Sequence, residues 1–170
     1  MGRDSYSFRL TVEECKSIST VSLNQYNLFN KGFHNTTLSW TGWRTERGSI
    51  GLIVSMFKGD EHCRLYYTQK DKFSGQKTDL DYMVKLVSTP CYFGGYRWWF
   101  LCPLVVNGKA CDRRVEILYL GGEKYFGCRH CYNLTYECQK ESGKYDRFFE
   151  KLGHDPKEVR RVLFKKRHRH

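Results

Sequence analysis

The sequence lacks several features that would assign it to a particular class of chain. It has no low-complexity tract and no internal repeat, and only 3 of its 170 residues are proline. Its longest uncharged apolar run covers residues 98–106, which is far too short to cross a bilayer. The first residues, MGRDSYSFRL, contain no apolar segment of the kind that secretory signals carry. We therefore expect a cytoplasmic protein without a membrane partner.

The sequence does contain enough apolar material for a folded core. Hydrophobic residues make up 40% of the chain and aromatic residues 16%, which excludes wholesale disorder. A length of 170 residues predicts one domain, or a small domain with an appended module.

Basic residues outnumber acidic ones and give a formal net charge of +11. The excess is concentrated in the C-terminal segment KEVRRVLFKKRHRH, which carries 7 basic residues and 1 acidic residue. A polyanion is the natural partner of such a chain, and nucleic acid is the first candidate.

The sequence patterns predict an α+β protein in three parts. Capping signals at Thr11 and Ser22 predict two short N-terminal helices. Runs of β-branched and aromatic residues separated by turn formers predict a small antiparallel sheet: TTLSWTGW, GSIGLIVSMF, EHCRLYYTQ, LDYMVKLVS and GYRWWFLC. Apolar residues at helical spacing after residue 132, and a second start signal at Asp155, predict C-terminal helices. We expect a β-rich domain with the N-terminal helices at 1–98, a hairpin module at 99–133, and C-terminal helices with a basic tail at 134–170.

The aromatic residues of the predicted strands have two interpretations. They could form a platform on which nucleic-acid bases stack. They could equally fill the core of a small sheet, which needs bulky side chains to bury enough surface, and this second interpretation is favoured. The residues concerned are Trp40, Trp43, Tyr66, Tyr67, Trp98 and Trp99.

Four of the eight cysteines have the spacing of a zinc site. In a cytoplasmic chain, cysteines indicate metal ligands or reduced core thiols rather than disulfides. Cys128 and Cys131 form a C-x2-C pair, and Cys111 precedes it by an interval typical of the two halves of a four-cysteine site. The intervening RRVEILYLGGEKYFG predicts a hairpin joining the two halves. With Cys102, these residues predict one structural Zn²⁺ ion in a zinc-ribbon module.

The first half of this predicted site departs from the usual spacing, since eight residues separate Cys102 from Cys111. The knuckle can bulge, with Asn107 and Gly108 supplying the turn that returns the chain. Alternatively Cys102 is a core thiol, and the fourth ligand is another of these residues: Cys63, Cys91, His130 or Cys138. A redox C-x2-C pair is disfavoured because no parallel α/β pattern surrounds it, and an accidental cluster of thiols is disfavoured by the spacing.

The segment GGYRWWFLCP…NGKACDRRVEILYL…YFGCRHCYNLTYECQKE resembles a group of uncharacterised zinc-ribbon-containing proteins of bacteria and mobile elements. The resemblance covers roughly residues 94–141. It implies a zinc-ribbon-like module and favours Cys102 and Cys111 as ligands, since the longer knuckle fits that group. It implies no activity. Cys138 stands where a serine is more usual, which argues against it as a ligand.

These observations predict a binding protein rather than an enzyme. A four-thiolate site has no open coordination position, and Asp112, Glu116, His130, Glu137 and His154 form no evident catalytic set. An HNH-like nuclease with His130 as base and Asn133 as partner is a lesser alternative.

The leading hypothesis is non-catalytic binding of DNA or RNA by basic side chains. The residues predicted to contact phosphates are Arg113, Arg114, Lys124, Arg129, Arg160, Arg161, Lys165, Lys166, Arg167 and Arg169. The alternative is an anti-defence protein of a phage or mobile element, for example an anti-CRISPR inhibitor. Such a protein would bind a nucleic-acid-guided effector or its guide RNA.

Overall fold

A computed structural model of the chain describes residues 9–41, 48–70, 75–121 and 124–139, together with Gly153 and Asp155. Of the described residues, 51% are in strands or bridges and 10% are helical. The predicted α+β class is therefore wrong, and the described part of the chain is mainly β. The predicted C-terminal helices and basic tail lie almost entirely outside the described residues.

The centre of the fold is a curled antiparallel sheet of six strands. Its order is β2-β3-β4-β5-β6-β9, so the first five strands are neighbours in both sequence and space. The strands are β2 (Phe33–Trp40), β3 (Gly48–Ser55), β4 (His62–Lys70), β5 (Lys77–Pro90), β6 (Tyr96–Leu101) and β9 (Arg114–Val115). The long strand β5 pairs with β4 through its first nine residues and with β6 through its last five. The sequence prediction of an antiparallel meander holds for this sheet.

Alternation of side chains along the strands places one apolar layer on one face of the sheet. In β3, Ile50, Leu52 and Val54 are buried, while the intervening residues are less so. Val54 lies opposite Cys63 of β4, and Cys63 lies opposite Val84 of β5, so the buried rows continue from strand to strand. This two-residue period identifies strands with one face on the core.

The N-terminal region contains less helix than its capping signals predict. Thr11 and Glu14 do form the predicted capping box, but it starts only a 3-10 turn, η1 (Val12–Glu14). The chain then enters strand β1 (Lys16–Ser19), which pairs with β10 (Ile117–Leu120). Helix α1 follows at Thr20–Gln25, with Ser19 rather than Ser22 as its N-cap. Capping residues specify where a helix begins but not its length, and here pairing with β10 decides the conformation of residues 16–19.

The aromatic side chains of the sheet mostly pack inward. Trp40 is half-buried, donates its indole N–H to the carbonyl of Ser17, and stacks near Phe126 at 6.1 Å between ring centroids. Trp98 packs against Phe29. The favoured interpretation of these residues as core thus describes them, while Trp43 lies outside the described residues.

The chain forms two compact units, Met1–Leu134 and Thr135–His170. In the second, residues 137–139 are helical and the masked-off remainder includes most of the predicted C-terminal part. Within the ranges that the structure describes, no helix has the length and apolar character needed to cross a membrane.

Candidate metal centre

The first knuckle of the centre is a hairpin whose turn the sequence identifies. Strands β7 (Val105–Val106) and β8 (Lys109–Ala110) pair across Asn107 and Gly108. Both turn residues have positive φ, 52° and 75°, as a type I′ turn requires. The backbone N–H of Cys111 donates to the carbonyl of Leu104 at 2.9 Å, and this bond closes the long knuckle. The bulged knuckle is therefore the one of the two predicted alternatives that the chain adopts.

The second knuckle is a series of tight turns over residues 128–134. The N–H of Cys131 donates to Sγ of Cys128 at 3.4 Å, and the N–H of Tyr132 donates to the carbonyl of Cys128. Asn133 has a φ of 49° and donates its N–H to the carbonyl of His130. Asn133 therefore lies in a turn and not on the helix that an HNH arrangement would use.

Two glycines allow the knuckles to approach each other closely. A Cβ at Gly127 would lie 2.1 Å from Cδ1 of Leu104, which comes from the first knuckle, and 3.0 Å from the ring of Tyr132. A Cβ at Gly121 would lie 2.8 Å from the same ring. The sequence analysis did not identify these glycines, although Gly127 directly precedes Cys128.

The centre is tied to the core of the sheet by Phe126, two residues before Cys128. Phe126 is fully buried, its ring meets Tyr67 edge-on, and its N–H donates to the hydroxyl of Tyr82 at 2.8 Å. Gly127 and Tyr119 of β10 exchange two backbone hydrogen bonds. The second knuckle therefore begins directly from a fixed point in the core.

The four predicted cysteines converge, and their sulfur atoms all lie within 4.8 Å of one another. The Sγ atoms of Cys102 and Cys131 are 3.8 Å apart, those of Cys111 and Cys128 are 3.8 Å apart, and those of Cys128 and Cys131 are 3.5 Å apart. A tetrahedral ion with metal–sulfur bonds of about 2.3 Å places its ligands about 3.8 Å apart. The group can therefore hold one metal ion with little rearrangement.

The environment of the thiols differs from one to the next. Burial raises the pKa of the Cys102 thiol to about 11, against the opposing effect of the N–H groups of Leu104 and Cys128. Burial likewise raises the pKa of Cys131. Burial also acts to raise the pKa of Cys128, but N–H donation from Cys131 and other hydrogen bonds outweigh it, and the pKa is lowered. A cation bound among the sulfurs would favour the thiolate form of each.

The other candidates for a fourth ligand within the first unit lie elsewhere. Cys63 is fully buried on β4 among core residues, and burial raises its pKa. Cys91 is exposed in the turn between β5 and β6, and His130 is exposed on the second knuckle. Among the described residues, the four cysteines are the one group of metal-ligating side chains found close enough together to hold an ion.

Two arginines lie beside the centre and act on the same side chain. The charges of Arg113 and, less strongly, Arg129 lower the pKa of His130, with a contribution from burial in between. Arg113 is exposed and Arg129 is half-buried. We call Arg113, Arg129 and His130 the cationic patch.

The remaining residues predicted to bind nucleic acid are less closely placed. Arg114 and Lys124 are exposed, but no contact links either of them to the cationic patch. The tail residues lie outside the described part of the chain: Arg160, Arg161, Lys165, Lys166, Arg167 and Arg169.

Comparison of the chain with protein-family models, with curated proteins and with solved structures finds no match. The resemblance to zinc-ribbon proteins of bacteria and mobile elements therefore stays a prediction. Function has to be inferred from the chemistry of the site, since a fold alone does not determine it.

Proposed function

We propose that this protein binds nucleic acid without catalysis, and that a structural zinc ion holds its cationic patch in place. The observation that carries the proposal is the convergence of four thiols with Arg113 and Arg129 beside them. The net charge of +11 supports a polyanionic partner, although most of the excess lies in the C-terminal segment.

Zinc is the ion that best fits this donor set. Thiolates are soft ligands, and a tetrahedral set of four selects zinc or an iron–sulfur cluster. The shortest sulfur separations, 3.5 Å to 3.8 Å, suit a single ion. Bound zinc would supply cross-linking of the two knuckles rather than chemistry, because four protein ligands leave no position for water or substrate.

The cationic patch suits contact with phosphates. Arginine presents a planar fork that binds phosphate oxygens through two parallel hydrogen bonds, and the second knuckle holds Arg129 on a framework of backbone bonds. Such contacts position a protein on nucleic acid but read no sequence. We therefore expect binding that depends on salt and shows little sequence preference.

The proposal is tested by fluorescence anisotropy with labelled single- and double-stranded DNA and RNA over a salt series. Duplex affinity should fall with a steep log–log slope, and Arg113→Gln with Arg129→Gln should reduce that slope by about two. A matched control, Lys31→Gln with Lys58→Gln, removes the same charge from two exposed turns. The control should leave the slope nearly unchanged.

Two results would contradict the proposal. Absence of binding at about 100 mM salt would favour a protein target, such as a nucleic-acid-guided effector, in its place. If the arginine variant lost zinc or stability but kept its salt slope, the two arginines would only balance the negative charge of a metal–thiolate centre. Zinc content and melting temperature are therefore measured on every variant.

A further inference from the structure

The turn between β5 and β6 carries two adjacent aromatic side chains in full contact with solvent. Tyr92 and Phe93 are each 96% exposed, and Tyr96 at the start of β6 is 70% exposed. The rings of Tyr92 and Phe93 meet edge to face, with centroids 5.1 Å apart. We call Tyr92 and Phe93 the aromatic tip. Two neighbouring large rings so fully exposed are unusual unless a partner covers them.

The backbone beneath the aromatic tip is well defined. The N–H of Cys91 donates to the carbonyl of Gly95, and the N–H of Gly94 donates to the carbonyl of Cys91. Gly94 and Gly95 have φ values of 89° and 79°, which only glycine adopts without strain. A rigid base lowers the entropy cost of presenting the rings to a ligand.

Side-chain contacts further along the hairpin add to this rigidity. The indole N–H of Trp99 donates to Oγ1 of Thr89 at 2.9 Å across the two strands. The guanidinium group of Arg97 lies 4.3 Å from the ring centroid of Trp99 and also pairs with Glu116. The tip is therefore the end of an ordered hairpin.

The charges around the tip suit an anionic partner. Between Asp81 and Asp112 the sequence has no acidic residue, whereas it has Lys85, Arg97 and Lys109. Strand β6 leads from the tip directly to Cys102, over a distance of about 20 Å. A nucleic acid on the cationic patch can therefore extend toward the tip without meeting a carboxylate of this hairpin.

We propose that the aromatic tip stacks on unpaired bases of single-stranded nucleic acid, an inference that rests on the proposed function. Aromatic rings stack on every base, so this contact adds affinity without sequence preference. It also explains why the tip carries flat rings rather than aliphatic side chains. Because the two rings are nearly perpendicular, each offers its free face to a different base.

The test uses a single strand of about 16 nucleotides that contains 2-aminopurine, a base whose fluorescence falls on stacking. Anisotropy and 2-aminopurine emission are read on the same sample. The wild type should bind and quench. Tyr92→Ala with Phe93→Ala should abolish quenching and weaken binding about tenfold or more, with the salt slope retained. Phe57→Ala, which removes another exposed ring from a separate turn, should change neither signal.

A second variant, Tyr92→Leu with Phe93→Leu, keeps an apolar tip but removes its flat rings. It should behave like the alanine variant. Unchanged affinity of the leucine variant would identify a general apolar contact and overturn the stacking proposal. So would capture of the wild type, but not the alanine variant, on anionic phospholipid vesicles in a flotation assay.

The remaining outcomes separate this inference from the proposed function. If every variant binds as tightly as the wild type, the tip plays no part, although the cationic patch still binds. If the wild type itself shows no anisotropy change, the proposed function fails and this inference fails with it.

Discussion

At the scale of single residues, the four cysteines of the metal centre differ in how firmly the chain holds them. Cys102 and Cys128 are buried, while Cys111 and Cys131 are half-buried. Sγ of Cys128 accepts an N–H from Cys131, and the N–H of Cys128 donates to Sγ of Cys102. Cys128 therefore takes part in both halves of the centre, and its substitution should be the most damaging.

We expect Cys128→Ser to lose the metal, because a hydroxyl is a far weaker ligand for a soft-ligand site than a thiolate. Metal analysis should give about one zinc per chain for the wild type and close to none for the variant. The melting temperature should fall as well, since metal binding contributes folding free energy. Cys91→Ser changes an exposed thiol in the β5–β6 turn and should keep both properties. Retention of zinc by the Cys128 variant would contradict the four-cysteine assignment.

At the scale of elements, the sequence specified the strands better than the helices. Strands β2 to β6 alternate between a buried and a solvated face, and that pattern is readable because the sheet buries only one side. The conformation of residues 16–19 depends instead on pairing with residues about a hundred positions later. Local signals contain no information on such a partner. The cysteine spacing indicated the metal centre, but the need for Gly127 follows only from the packing of Leu104.

The turn of the first knuckle supplies a test at this scale. Gly108 has a φ of 75° and open space around the position of a Cβ, so a substitution there acts through backbone conformation alone. Gly108→Val should cost about 1–2 kcal/mol of knuckle stability. It should weaken zinc binding about tenfold, as measured by competition with a chromophoric chelator. Ala110→Val adds side-chain volume in the extended strand β8 nearby and should leave zinc affinity unchanged. Equal affinities for the two variants would show that the turn does not limit assembly of the site.

At the scale of the whole molecule, the first unit combines two sources of stability. The sheet has its own apolar layer, in which Leu52, Val54 and Leu65 are almost completely buried. The knuckles have few buried apolar residues of their own, and Val105 is 65% exposed. Phe126 joins the two regions, since it packs against Trp40 while lying two residues from Cys128. The sheet should therefore be able to persist when the metal centre is lost.

Removal of zinc by a strong chelator should accordingly unfold the molecule in part rather than as a whole. Amide hydrogen exchange should accelerate in residues 102–118 and 127–134, where backbone order depends on the metal cross-link. Amides of β3 and β4 should keep most of their protection, because their apolar layer needs no ligand. A sample treated with chelator already saturated with zinc controls for effects of the chelator itself. Loss of protection across β3 and β4 to the same extent would mean that the metal centre and the sheet fold as one cooperative unit, with Phe126 transmitting the change into the core.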